Sequence, residues 1–183
     1  MEEKIQRLVA ALEDKDNTAR YEAFTQLLTI TEESVSWSYE AWDTLAAKLG
    51  SDNSYQRSIG MSLLCNLSHS DPEKRLNALI GKLLALTEDE KFITRRQTLQ
   101  SIWKIAWFNP TLRPVVVQKL QQRFADCIDE EHPNLLRRDI VQSLLTLAEL
   151  THNEALFTAI DQLIQSESDE KSRKTYLAMR KAK

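Results

Sequence analysis

Four times along this chain an arginine opens the same stripe of side chains. Arg20 is followed at +3, +4, +7, +8 and +10 by Ala23, Phe24, Leu27, Leu28 and Ile30. At the same offsets Arg57 leads Gly60, Met61, Leu64, Cys65 and Leu67, and Arg95 leads Thr98, Leu99, Ile102, Trp103 and Ile105. Arg137 leads Ile140, Val141, Leu144, Leu145 and Leu147. These offsets trace one face of an α-helix, with Thr98 the polar exception. Arg173 opens a fifth, shorter copy through Tyr176 and Leu177, and successive anchors lie 37, 38, 42 and 36 residues apart. A recurrence of that length marks helical units that cannot bury an apolar face alone and must stack on their neighbours.

Between the arginine-led helices run amphipathic partners: Ile5, Leu8, Val9 and Leu12; Tyr39, Trp42, Leu45 and Leu49; Leu76, Leu79, Ile80, Leu83 and Leu84; Val117, Leu120, Phe124 and Ile128; Leu156, Ile160, Leu163 and Ile164. Three glycines and four prolines are too few for an all-β fold, which needs such residues at its hairpins. The expected fold is all-α: one domain over 1–183, an α-solenoid of about five antiparallel hairpins with repeats at 1–33, 34–70, 71–109, 110–151 and 152–183. Asp16-Asn17 and Asp52-Asn53 fill the turns inside the first two hairpins. Asp71 with Pro72, and Asn109 with Pro110, are expected as N-cap and first helical residue of later helices.

The segments "DNTARYEAFTQLL", "DNSYQRSIGMSLL" and "HPNLLRRDIVQSLL" resemble the second helix of HEAT-like and armadillo-like α-solenoids, and the resemblance spans nearly the whole chain. It implies a right-handed superhelix in which Arg20, Arg57, Arg95 and Arg137 form a structural ladder against acidic or carbonyl groups, because packing symmetry repeats an arginine where catalysis would need only one. It also implies a non-catalytic interaction or scaffold module whose second helices bind a partner.

Charge suggests where. Residues 1–90 carry 9 Lys+Arg against 16 Asp+Glu, whereas 91–138 carry 9 against 4. Arg96, Gln100, Lys104, Trp107, Arg138 and Gln142 fall off the apolar stripes and are the expected partner-binding residues. The expected partner is a protein, with nucleic acid as the alternative through the basic 91–138 region. A second, apolar patch is expected from Trp37, Tyr39, Ile59 and Leu63.

An enzymatic alternative comes from "SWSYEAWDTLAAKL", where Trp42 and Asp43 resemble the Trp-Asp-x-x-Asp signature of HEAT-like DNA alkylation-repair glycosylases, with Arg57 downstream. Ala46 stands where that signature needs its second carboxylate, the group that would stabilise positive charge developing on the sugar. No enzyme activity is therefore expected. His69, His132 and His152 are too scattered for a zinc site, glycines are too few for a phosphate loop, and neither a cofactor nor a small-molecule substrate is expected. Cys65 and Cys127 lie on apolar faces as buried free thiols. The acidic, helical start "MEEKIQRLVAALED" is unlike a secretory leader, and no window is apolar enough to enter a membrane, so a cytoplasmic protein is expected. The basic tail "EKSRKTYLAMRKAK" reads as a polar capping helix.

Overall fold

A computed structural model describes residues 1–182. It is all-helical, with no strand among the described residues. The chain divides into two compact units, Met1–Leu83 and Leu84–Lys183, and the boundary falls inside the expected third repeat.

The first unit holds α1 (Glu3–Ala11), α2 (Asn17–Ile30), α3 (Ser38–Lys48) and α4 (Ser54–Asn66), followed by a 3-10 turn over Leu67–Ser70. Helix α5 (Leu76–Ala85) runs across the boundary. α1 lies against α2, α3 against α4, and α2 against α4. The short turns start helices as their chemistry requires. The Asp16 carboxylate accepts from the Thr18 and Ala19 amides, and the Asn53 side chain accepts from the Tyr55 amide at 2.9 Å. Leu12, Leu27, Trp42, Leu45 and Leu64 form the core. Lys48 is buried because its ammonium reaches the Glu13 carboxylate and the Gln56 side-chain carbonyl, while Gln56 donates to the Leu12 carbonyl at 2.8 Å. Buried polar atoms are thereby satisfied, and the ends of α1, α3 and α4 are tied together.

Two expectations change here. Asp71 does cap a helix, but α5 begins at Leu76 rather than at Pro72: the Asp71 carboxylate accepts from the Arg75 and Leu76 amides at 2.8 and 2.9 Å. The intervening chain turns through Lys74 at φ 55°, which a helical start at Pro72 would forbid. The proposed apolar patch does not reach the surface either. Ile59 and Leu63 are 0% and 1% exposed and Trp37 is buried, because α4 is enclosed around most of its circumference and not along one stripe only.

The second unit holds α6 (Phe92–Ser101), α7 (Trp103–Phe108), α8 (Arg113–Asp126), α9 (Pro133–Thr151), α10 (Glu154–Ser166) and α11 (Glu170–Lys181). α9 is its centre and touches α6, α7, α8, α10 and α11. Leu136, Ile140, Val141, Leu144, Leu145, Leu147 and Ala148 of α9 are all fully buried. The arginine-led third helix is broken at Ile102, which separates α6 from α7. Asn109 is not an N-cap: α8 starts at Arg113 with Pro114 in its first turn, and the Asn109 carbonyl accepts from the Leu112 amide in the connection. Both cysteines are buried thiols outside any disulfide, and burial pushes the Cys127 thiol above its ordinary value.

Tyr176 anchors α11. Its ring meets Phe124 edge-on at 6.2 Å, and its hydroxyl donates to the Asn134 carbonyl at 3.1 Å. Burial pushes its phenol up to about 12 from 10.0. The fold favours the neutral phenol, so this contribution is complete below pH 10 and is lost as pH rises from 10 through about 12. Ultraviolet titration should therefore show this tyrosine ionising late, with stability falling over the same window. Burial and a hydrogen bond to Asp71 also raise Tyr39, so Tyr176→Phe is the comparison that isolates the effect. A decline of equal size in that variant would refute the assignment.

Candidate functional site

The four repeating arginines are held by local carbonyls and carboxylates. Arg20 donates to the Asp14 carbonyl at 2.8 Å and lies 4.8 Å from the Tyr55 ring. Arg57 donates to the Ser51 and Asp52 carbonyls at 2.8 and 3.1 Å. Arg95 faces Glu130 at 3.6 Å. Arg137 donates to the Phe124 carbonyl at 2.8 Å, pairs with Glu167 at 3.1 Å and rests 4.7 Å from the Phe124 ring. In Arg20, Arg57 and Arg137 the guanidinium reaches back to the preceding turn or helix end, where carbonyls lack helical partners, whereas Arg95 meets a carboxylate brought in by the fold.

The basic region looks different once folded. Arg96 makes a two-pronged ion pair with Asp139, at 2.6 and 3.0 Å, and Gln100 donates to the same carboxylate at 2.9 Å. That hydrogen-bonded pairing, which outweighs the cost of burial, holds the Arg96 guanidinium above its ordinary value. Lys91 faces Glu90, Lys119 pairs with Glu88, and Arg123 lies between Glu88 and Glu130. Glu88, Glu90 and Asp139 fall just outside the 91–138 window, and Glu167 lies well beyond it; all four pair back onto its cations. The excess of cations counted along the chain is thus largely compensated in space.

Of the six expected binding residues, Arg96 and Gln100 meet at Asp139, whereas Gln142 turns to Thr146 on its own helix at 3.3 Å. Arg138 is exposed and has no ion-pair partner among the described residues. Lys104 and Trp107 belong to a different cluster, on α7. There Trp103 and Trp107 stack with centroids 6.0 Å apart and planes 30° apart, and Phe108 lies 4.3 Å from Trp107. The Lys104 ammonium sits 5.9 Å from the Trp103 ring. Arg113 closes the end of α7 by donating to the Ala106 carbonyl at 2.9 Å and the Trp107 carbonyl at 3.4 Å.

Trp103 and Phe108 are the residues that sequence reasoning missed. Trp103 falls on the core stripe by its offset but ends partly exposed, as Leu28 does at the same offset, with its indole N–H on the Gln100 carbonyl at 3.0 Å. Phe108 is 39% exposed. The available signal was "WKIAWF", whose tryptophans stand one helical turn apart on one face.

The residues that resemble the glycosylase signature are occupied otherwise. Trp42 is buried edge-on against Tyr39, with centroids 5.5 Å apart; Asp43 is exposed, and Arg57 is engaged by turn carbonyls. Among the described residues no three His, Cys, Asp or Glu side chains gather as a metal site, and no helix is long and apolar enough to cross a membrane. The chain matches no protein-family model and no curated protein.

Proposed function

We propose that the chain is a non-catalytic binding module, a HEAT-like stack of about five helical hairpins that docks a protein partner on Trp103, Lys104, Trp107 and Phe108. The partly exposed aromatic rank on α7 carries this reading. Contiguous aromatic surface left in water at a helix end is a recurrent mark of interfaces, where tryptophan supplies large contact area for little ordering cost. A rigid helical support lowers the cost of binding further. Protein is favoured over nucleic acid because Arg95, Arg96, Lys119, Arg123 and Arg137 already engage carboxylates and have little left to offer phosphates. An enzymatic role gains no support from Trp42, which serves the core, or from Ala46 in place of a carboxylate.

The test compares wild type with Trp107→Ala/Phe108→Ser. Proteins retained from nuclease-treated lysate by wild type are identified, purified and titrated against both forms. The expected result is an affinity about thirtyfold weaker for the double variant, the effect of a truncated hot spot. Equal affinities, or a partner retained only from lysate that has not been treated with nuclease, would refute it.

A further inference from the structure

A second site lies on the second unit, away from the aromatic rank. A groove of about 480 Å³ opens between the first turns of α9 and α11. Its floor is fixed and electrically satisfied: the Arg137–Glu167 pair is buried there, Glu167 also accepts from the Asp169 amide at 3.0 Å, and Tyr176 is held on the Asn134 carbonyl. Its rim is not satisfied. Among the described residues the exposed Arg138 on α9 has no ion-pair partner, in contrast to Arg95, Arg96, Arg123 and Arg137, each of which faces a carboxylate. Lys171, in the first turn of α11, also lines the groove and is exposed. The rim also carries the Asp169 carboxylate, which caps α11 by accepting from the Ser172 amide at 2.7 Å and lies within electrostatic reach of Lys171, so the rim's net positive charge rests on Arg138. Beside these cations Ile128 is left 48% exposed, with Leu135 partly exposed next to it.

We propose that this groove binds an acidic peptide segment that carries an apolar side chain, its carboxylates taken by Arg138 and Lys171 and its apolar residue laid on Ile128 and Leu135. Charge complementarity selects the acidic groups, and the apolar wall selects a peptide over a bare anion, which would gain nothing from isoleucine and leucine. The protein's net charge of −3 repels acidic peptides, so attraction has to arise locally. The site does not depend on the reading of α7.

The probe is a fluorescein-labelled peptide with leucine at its centre and four aspartates on either side, followed by anisotropy at low salt on the whole chain. Wild type should bind it at sub-millimolar concentration and release it as salt is added. Arg138→Glu and Lys171→Glu should each weaken binding about tenfold or more, as should replacing the central leucine by aspartate. Trp107→Ala should bind as wild type does, which separates failure of this site from failure of the α7 surface. Both substituted cations are solvent-exposed, so circular dichroism should be unchanged. Absence of binding by wild type, indifference to both charge reversals, or equal competition by inorganic phosphate would overturn the proposal.

Discussion

Arg137→Ala should cost the protein about 3–5 kcal/mol, read as a fall in the chemical-denaturation midpoint, the scale expected when one member of a buried ion pair is removed. Arg137 is 7% exposed and Glu167 4%, so deleting the guanidinium leaves a buried carboxylate without its cation and strips the Phe124 carbonyl of its donor. The pair itself need not be strongly stabilising. Arg137→Met combined with Glu167→Leu should therefore recover most of the loss, since taking charge out with its partner avoids the orphan. By contrast Arg7, paired with Glu3 on the surface of α1, should lose less than about 0.5 kcal/mol when replaced by alanine. A small loss from the single Arg137 variant would mean that the pair is wetter than its burial implies.

Gly60→Val should be nearly as damaging. A Cβ at this position would lie 2.7 Å from the Leu45 carbonyl oxygen and 2.8 Å from the Lys48 Cβ. One obstacle is backbone, and the other belongs to a lysine pinned by Glu13 and Gln56, so neither yields easily. α3 and α4 would have to separate, for which overpacking costs of about 1–3 kcal/mol with alanine, and more with valine, are reasonable. Gly81 in α5 is the internal control. Nothing lies within 4 Å of its hypothetical Cβ, and Gly81→Ala should stabilise by about 0.5–1 kcal/mol through helix propensity alone. Tolerance of Gly60→Val would show that the two helices do not meet as closely as described.

The helices themselves were legible because burial has a period. Leu64, Ile102 and Leu144 sit at equivalent offsets and are all fully buried. Even the polar exception conforms: Thr98 is 0% exposed, its hydroxyl satisfied by the Thr94 carbonyl one turn back. Phe24, at the same offset as Met61 and Val141, is only partly buried, since an offset names a direction and not the depth of what lies there.

What escaped the sequence depended on neighbours distant along the chain. Ile59 and Leu63 looked solvent-facing because a stripe describes one contact face, and α4 is covered on several. The cationic region dissolved because Asp139 and Glu167 return to it through the fold, and no count along a window registers that. Proline beside Asp71 or Asn109 points to helix starts a few residues early: the Asp71 carboxylate spans a turn before α5 begins, and the chain after Asn109 makes a turn of its own before α8. Of the candidate binding residues, Lys104 and Trp107 kept company with other aromatics, and Arg138 stood apart in its own groove.

Placing α9 at the hub has a consequence during synthesis. Helices α6, α7 and α8 leave the ribosome before the element that covers them exists, so their oily flanks stay bare until residues 133–151 have emerged. Ribosome stalling ahead of that segment would leave a sticky, unfinished nascent chain, whereas release of the segment would let the earlier helices close around it together.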